Sequence, residues 1–152
     1  MPAVWRIVKS DRARRAFDGE GARLFGGRWN SPGHRVVYTA EHASLAVLEM
    51  LVHLHEAEAV ARYALVRARV PDRLVEVLEP ARLPPGWSDH PAPAALREIG
   101  DRWAAAGRSL ALRVPSAVVP EEANYLLNPA HRAFRRVAIG AARPFALDPR
   151  LR

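Results

Sequence analysis

A chain of 152 residues, 49% of them hydrophobic, has the size of one ordinary domain with a full core, so a single domain over residues 1–152 is expected. Its 23 Lys and Arg against 16 Asp and Glu leave a net charge of +7, which suits an anionic ligand or an acidic partner. Yet Lys9 is the only lysine, the arginines are scattered without interleaved aromatics, and cysteine is absent, which disfavours a nucleic-acid-binding module and excludes disulfides, thiolate catalysis and Cys-ligated zinc.

The opening "MPAVWRIVKS" lacks the pattern of a signal peptide, and no apolar run approaches the length of a membrane span, so a soluble cytoplasmic protein is expected. Within it "AVWRIV" (Ala3 to Val8) reads as a strand, rich in branched and aromatic residues. The stretch "FGGRWNSPG" follows at Phe25 to Gly33. Paired glycines suit either a tight turn or a backbone that closes on a ligand. Arg28, in that loop, is either a solvated turn arginine or a planar fork of donors for carboxylate or phosphate. Trp29 is expected to anchor the loop in the core.

"RVVYTA" (Arg35 to Ala40) predicts a second strand. Tyr38 on it is either packing or a platform for a ligand ring. "EHASLAVLEMLVHLHE" then has no breaker and predicts a helix over 41–56, capped by Thr39 or Ser44. Its stripe Leu45, Leu48, Glu49, Val52 follows the spacing that faces a core and sets a carboxylate among apolar side chains. A buried carboxylate must be paired, neutralised or turned into a polar cavity, so Glu49 is either a structural ion pair or a functional group. His42, His53 and His55 crowd nearby, but His53 and His55 do not share a helix face, and no metal site is expected.

"RYALVRARV" (Arg62 to Val70) alternates as a strand, and "RLVEVL" (Arg73 to Leu78) extends the sheet. Five prolines in Glu79 to Pro93 mark an irregular, surface-exposed connection, after which Ala94 to Gly107 predicts a helix closed by glycine. "SLALRVPSAVVP" (Ser109 to Pro120) predicts a strand running into a turn at Pro115-Ser116, where the Ser116 hydroxyl can bond its own backbone. "EEANYLLNPAHRAF" (Glu121 to Phe134) reads as a short helix or ordered loop, whose Asn124 and Asn128 either turn the chain or orient a ligand. Arg135 to Gly140 and Pro144 to Leu147 supply final strands. Strands outnumber helices without regular alternation, which points to an α+β fold with a mixed or mostly antiparallel sheet and flanking helices. Neither a phosphate loop, a dinucleotide fingerprint nor a Gly-x-Ser-x-Gly elbow is present.

"GARLFGGRWNSPGHRVVYTAEHASLAVLEMLVH", followed by "VPSAVVPEEANYLLNPAH", resembles the RES-domain proteins, the toxin halves of Xre–RES toxin–antitoxin pairs. The arginine, glutamate and serine that name the family look like Arg28, Glu49 and Ser116. The resemblance covers nearly the whole chain and implies a compact domain similar to ADP-ribosyltransferase toxins. It also implies destruction of NAD+ as substrate, with inorganic phosphate or water as co-substrate, no other cofactor, and an Xre-type helix-turn-helix antitoxin through which alone nucleic acid is met. On that reading Glu49 stabilises the oxocarbenium-like ribose as nicotinamide leaves. Arg28 holds pyrophosphate or phosphate, Ser116 bonds the ribose or the attacking oxygen, Tyr38 faces the nicotinamide ring, and Asn124 completes the substrate contacts. An ADP-ribosyltransferase is the main rival, although one major class of those enzymes places its serine before its glutamate, the reverse of Glu49 and Ser116.

Overall fold

The structure, a computed structural model, describes residues 1–55, 58 and 61–151. Eight strands form one sheet: β1 (Ala3–Lys9), β2 (Val37–Ala40), β3 (Tyr63–Arg69), β4 (Val75–Val77), β5 (Ala111–Pro115), β6 (Ala123–Leu127), β7 (Ala138–Ile139) and β8 (Arg143–Phe145). Three α-helices accompany them: α1 (Glu20–Phe25), α2 (Ala43–Leu51) and α3 (Ala94–Ala106). The sheet order is β4-β5-β6-β2-β1-β3-β7, with β8 also on β3. Only β4 and β5 run parallel, so the expected α+β fold with a mixed, mostly antiparallel sheet is the one observed.

The pairing between β1 and β2 positions the site. β1 is bonded to β3 along its whole length, from Ala3 opposite Arg69 to Lys9 opposite Tyr63. β2 is bonded along its length to β6. Between β1 and β2 the register reduces to Trp5 opposite Ala40. Beyond that pair a side chain takes over from the ladder: Arg6 donates Nη1 to the Tyr38 carbonyl at 2.9 Å and Nε to the Ala16 carbonyl at 2.7 Å. The sheet therefore divides at its middle, and the division opens on α2.

Alternation along β5 and β6 sends Ala111, Tyr125 and Leu127 to one core and Leu112, Val114 and Leu126 to another. The second core is closed by α3 through Leu96 and Trp103 and by Trp29 from the glycine loop. Gly100 makes this closure possible, since a Cβ there would lie 1.7 Å from the Trp29 carbonyl oxygen. α3 ends where glycine was expected to end it, at Gly107 with φ 61°.

Two expectations are corrected. The predicted helix over 41–56 is regular only from Ala43 to Leu51, with His42 in the N-cap position and no side-chain cap; Thr39 instead donates to the Tyr125 carbonyl at 2.8 Å. Of its stripe only Leu45 faces the core, beside the buried Ala46, because Leu48 is 40% and Val52 59% exposed. Residue 56 lies outside the described residues. Glu121 to Phe134, read as helix or loop, contains β6, a central strand bonded on both sides. Its five residues are too few for periodicity to separate strand from helix, and tertiary pairing decides the matter.

Candidate active site

The cleft at the divided sheet has two lobes, a larger one of about 710 Å³ and a smaller one of about 470 Å³. Arg6, Tyr38, Glu49, His53 and Asn124 line both, so these five residues mark the junction. The glycine loop, Arg28 and Arg97 of α3 wall the larger lobe, together with His90 to Ala92 of the proline-rich segment. β1, Met50 and Leu54 wall the smaller.

The glycine loop is held by a network of side-chain hydrogen bonds. Asn30 is buried, and its Nδ2 reaches the carbonyls of Ala22, Ser31 and His34 at 2.9, 3.1 and 3.2 Å. The Tyr38 hydroxyl donates to Asn30 Oδ1 at 2.7 Å and accepts the Trp29 amide at 2.9 Å. Burial pushes the Tyr38 hydroxyl well above the ordinary tyrosine range, so it stays protonated and keeps donating. Gly27 is required by proximity, since a Cβ there would meet that hydroxyl at 2.6 Å. Trp29 is 2% exposed and anchors the loop from below.

Arg28 is half-buried, and its Nη1 donates to the carbonyls of Trp87 and Asp89, each at 3.0 Å. One nitrogen of the fork thus ties the proline-rich segment to the cleft, while Nε and Nη2 make no protein hydrogen bond among the described residues. The segment expected to be a mere surface connection is a wall of the site.

Glu49 faces its partner across the turn that follows β5. The Ser116 hydroxyl donates to Glu49 Oε1 at 2.8 Å and accepts the amides of Val118 and Val119 at 3.0 and 3.1 Å. Two backbone N–H groups thereby polarise a hydroxyl that points at a carboxylate. Glu49 forms no ion pair among the described residues, so the structural pairing with an arginine is absent there. Ser116 is 0% exposed and lines neither lobe; its hydroxyl proton is spent on Glu49. Ser116, expected to bond the ribose or the attacking oxygen, is therefore placed behind the cleft wall, one hydrogen bond away on Glu49.

Asn124 lies on β6 opposite Ala40, donates at 3.3 Å to the Thr39 carbonyl and lines the junction. Tyr38, Glu49, Asn124 and Arg28 are thus brought to one cleft, with Ser116 one hydrogen bond behind.

A RES-domain family model matches residues 3–148. The chain belongs to the RES-domain family. Relatives of this RES domain include the protein named Toxin Res of Yersinia enterocolitica serotype O:8, 39% identical over 98% of this chain and 99% of that one. The Prs ADP-ribosylating toxin of a Sphingobium species is 40% identical over 98% and 96%. In fold the RES domain is similar to the solved Mycobacterium tuberculosis MbcT–MbcA toxin–antitoxin complex, with a TM-score of 0.77, 21% identity and coverage of 95% of this chain and 84% of that one.

Sequence reasoning missed three residues of this RES-domain cleft. Arg6 reads as an ordinary strand position, and only the lapse between β1 and β2 turns it into the cleft. Its guanidinium is lowered by burial, with the nearby Asp18 charge opposing, yet an arginine keeps its charge in such surroundings. Asn30 had a signal available, as a lone amide after an aromatic in a glycine loop. His53 shares the junction because it lies four residues after Glu49, while His42 turns away to Glu122 at 2.9 Å, beside Glu41.

Proposed function

We propose that this protein is the toxin of a toxin–antitoxin pair and consumes NAD+ by cleaving its nicotinamide–ribose bond. The observation that carries the reading is Glu49: a half-buried carboxylate without a cationic partner among the described residues, aimed by Ser116 into the junction of a basic, two-lobed cleft. A carboxylate at such a place stabilises the positive charge that grows on the ribose as the C1′–N bond breaks and its electron pair departs with neutral nicotinamide. A phosphate oxygen, or water after losing its proton, then forms the new bond to C1′. Arg28 offers its uncommitted nitrogens to the diphosphate, Tyr38 its ring face to the nicotinamide, and Asn124 its amide oxygen to a ribose hydroxyl. The partner on this reading is an Xre-type helix-turn-helix antitoxin, and the setting is the cytoplasm.

Purified protein is incubated with labelled NAD+, with and without inorganic phosphate, and the products are separated. Free nicotinamide with ADP-ribose or its phosphorylated form is expected. In Glu49→Gln the rate falls by about 100-fold or more while the thermal midpoint is kept, because only the charge is removed. Full activity in that variant overturns the mechanism. A second reading, transfer of ADP-ribose to a macromolecule, is favoured by the name of the Sphingobium relative. Label retained on protein or nucleic acid selects it.

A further inference from the structure

The cleft carries positive charge at two separate places, with one carboxylate between them. At the larger lobe stand Arg28 and Arg97; at the smaller stand Lys9 and Arg12, at the end of β1 and in the 3₁₀ turn that follows it. Arg6 and His53 serve both. Lys9 pairs with Glu58 at 3.2 Å across a partly exposed gap, and this bond holds the Glu58 carboxyl below its usual range. Arg12 is exposed and makes no ion pair among the described residues. Among the described residues the smaller lobe is thus lined by three cations, Arg6, Lys9 and Arg12, against two carboxylates, Glu49 and Glu58.

A pyridine dinucleotide has one diphosphate, and once its scissile bond lies against Glu49 that diphosphate extends into one lobe only. The basic place at the other lobe is then left to a different anion. We propose that the Lys9–Arg12 end of the smaller lobe is a second anion subsite, which takes a terminal phosphate group. Its tetrahedral dianion matches two cations lining one lobe better than a carboxylate does. Two sources share this chemistry: inorganic phosphate standing beside the ribose, or a phosphate monoester carried on the ribose of a phosphorylated dinucleotide. The subsite rests on the reading of the cleft as a dinucleotide site, but its occupancy by phosphate is measurable without any dinucleotide.

The test compares Glu49→Gln protein, which holds ligands without consuming them, with the same protein also carrying Lys9→Ala and Arg12→Ala. Both changed side chains are exposed, so folding is retained, and a thermal midpoint checks it. Calorimetric titrations use inorganic phosphate, NAD+ and NADP+ separately. The double change is expected to weaken phosphate, or NADP+ relative to NAD+, by about ten-fold or more, as loss of charge-assisted contacts does. Weakening of inorganic phosphate identifies the free ion as occupant, and weakening of NADP+ alone identifies the carried phosphate. A control that removes two exposed arginines elsewhere, Arg132→Ala with Arg143→Ala, is expected to leave all three affinities in place. If neither phosphate nor NADP+ responds, if NAD+ weakens as much as they do, or if the control acts alike, the subsite is overturned. A protein that binds phosphate through Lys9 and Arg12 but no dinucleotide keeps the subsite and removes the reading of the cleft.

Discussion

The glycine loop from Gly26 to Ser31 has no regular secondary structure, yet it is tied more densely than the helix opposite. Asn30 bonds three carbonyls and the Tyr38 hydroxyl, Tyr38 takes the Trp29 amide, and Asp101 takes the Ser31 amide at 2.9 Å. Glu49, on the regular helix α2, is held by one side-chain hydrogen bond, from Ser116. The difference follows from what each wall must satisfy. A loop pressed against the core has no ladder for its backbone groups and needs a buried amide to supply partners. A helix satisfies its own backbone and can spare a carboxylate for the cleft.

Substitutions can break or sharpen that contrast. The largest loss of stability is expected from Gly100→Ala, whose new methyl collides with the Trp29 carbonyl and drives α3 off the loop; a destabilisation of about 3 kcal/mol in urea unfolding is expected. Asn30→Ala removes the hub of the loop wall and strands buried carbonyls, at a cost of about 2 kcal/mol by the same measurement, with weaker NAD+ binding. Ser116→Ala tests the other wall: about 1 kcal/mol of stability is expected to go, but kcat to fall about ten-fold with KM nearly unchanged. A purely structural serine leaves kcat alone. Smallest is Leu48→Ser, on the outward face of α2, with a change within about 0.5 kcal/mol. A large loss there means that the face is covered in the folded protein.

Much of the fold was legible because it rests on local rules. The β1 and β3 strands, the turn signal at Ser31 to Gly33 and the glycine-closed α3 were readable from alternation, punctuation and capping. β6 was not, because "ANYLL" has no decisive period and becomes a strand only between β5 and β2. Of the site, Arg28 and Glu49 stood out as charges in unusual settings. The apolar setting of Glu49 was argued from a stripe that the structure breaks, since Leu48 and Val52 face outward. Phe25, 80% exposed at the rim of the larger lobe, is likewise a position that hydrophobicity alone would have buried.

Residue order, composition and the three-motif wording by themselves determined the α+β fold class, the absence of cysteine and membership of the RES-domain family. Tertiary structure alone decided who meets whom. The lapse between β1 and β2 brought Arg6 into the cleft that Glu49 lines, and the turn after β5 turned Ser116 away from the cleft and onto the carboxylate. The physical reason is range: propensity and capping act over a few residues, whereas a cleft is made by groups 67 positions apart, as Glu49 and Ser116 are, which meet only when a sheet folds them together.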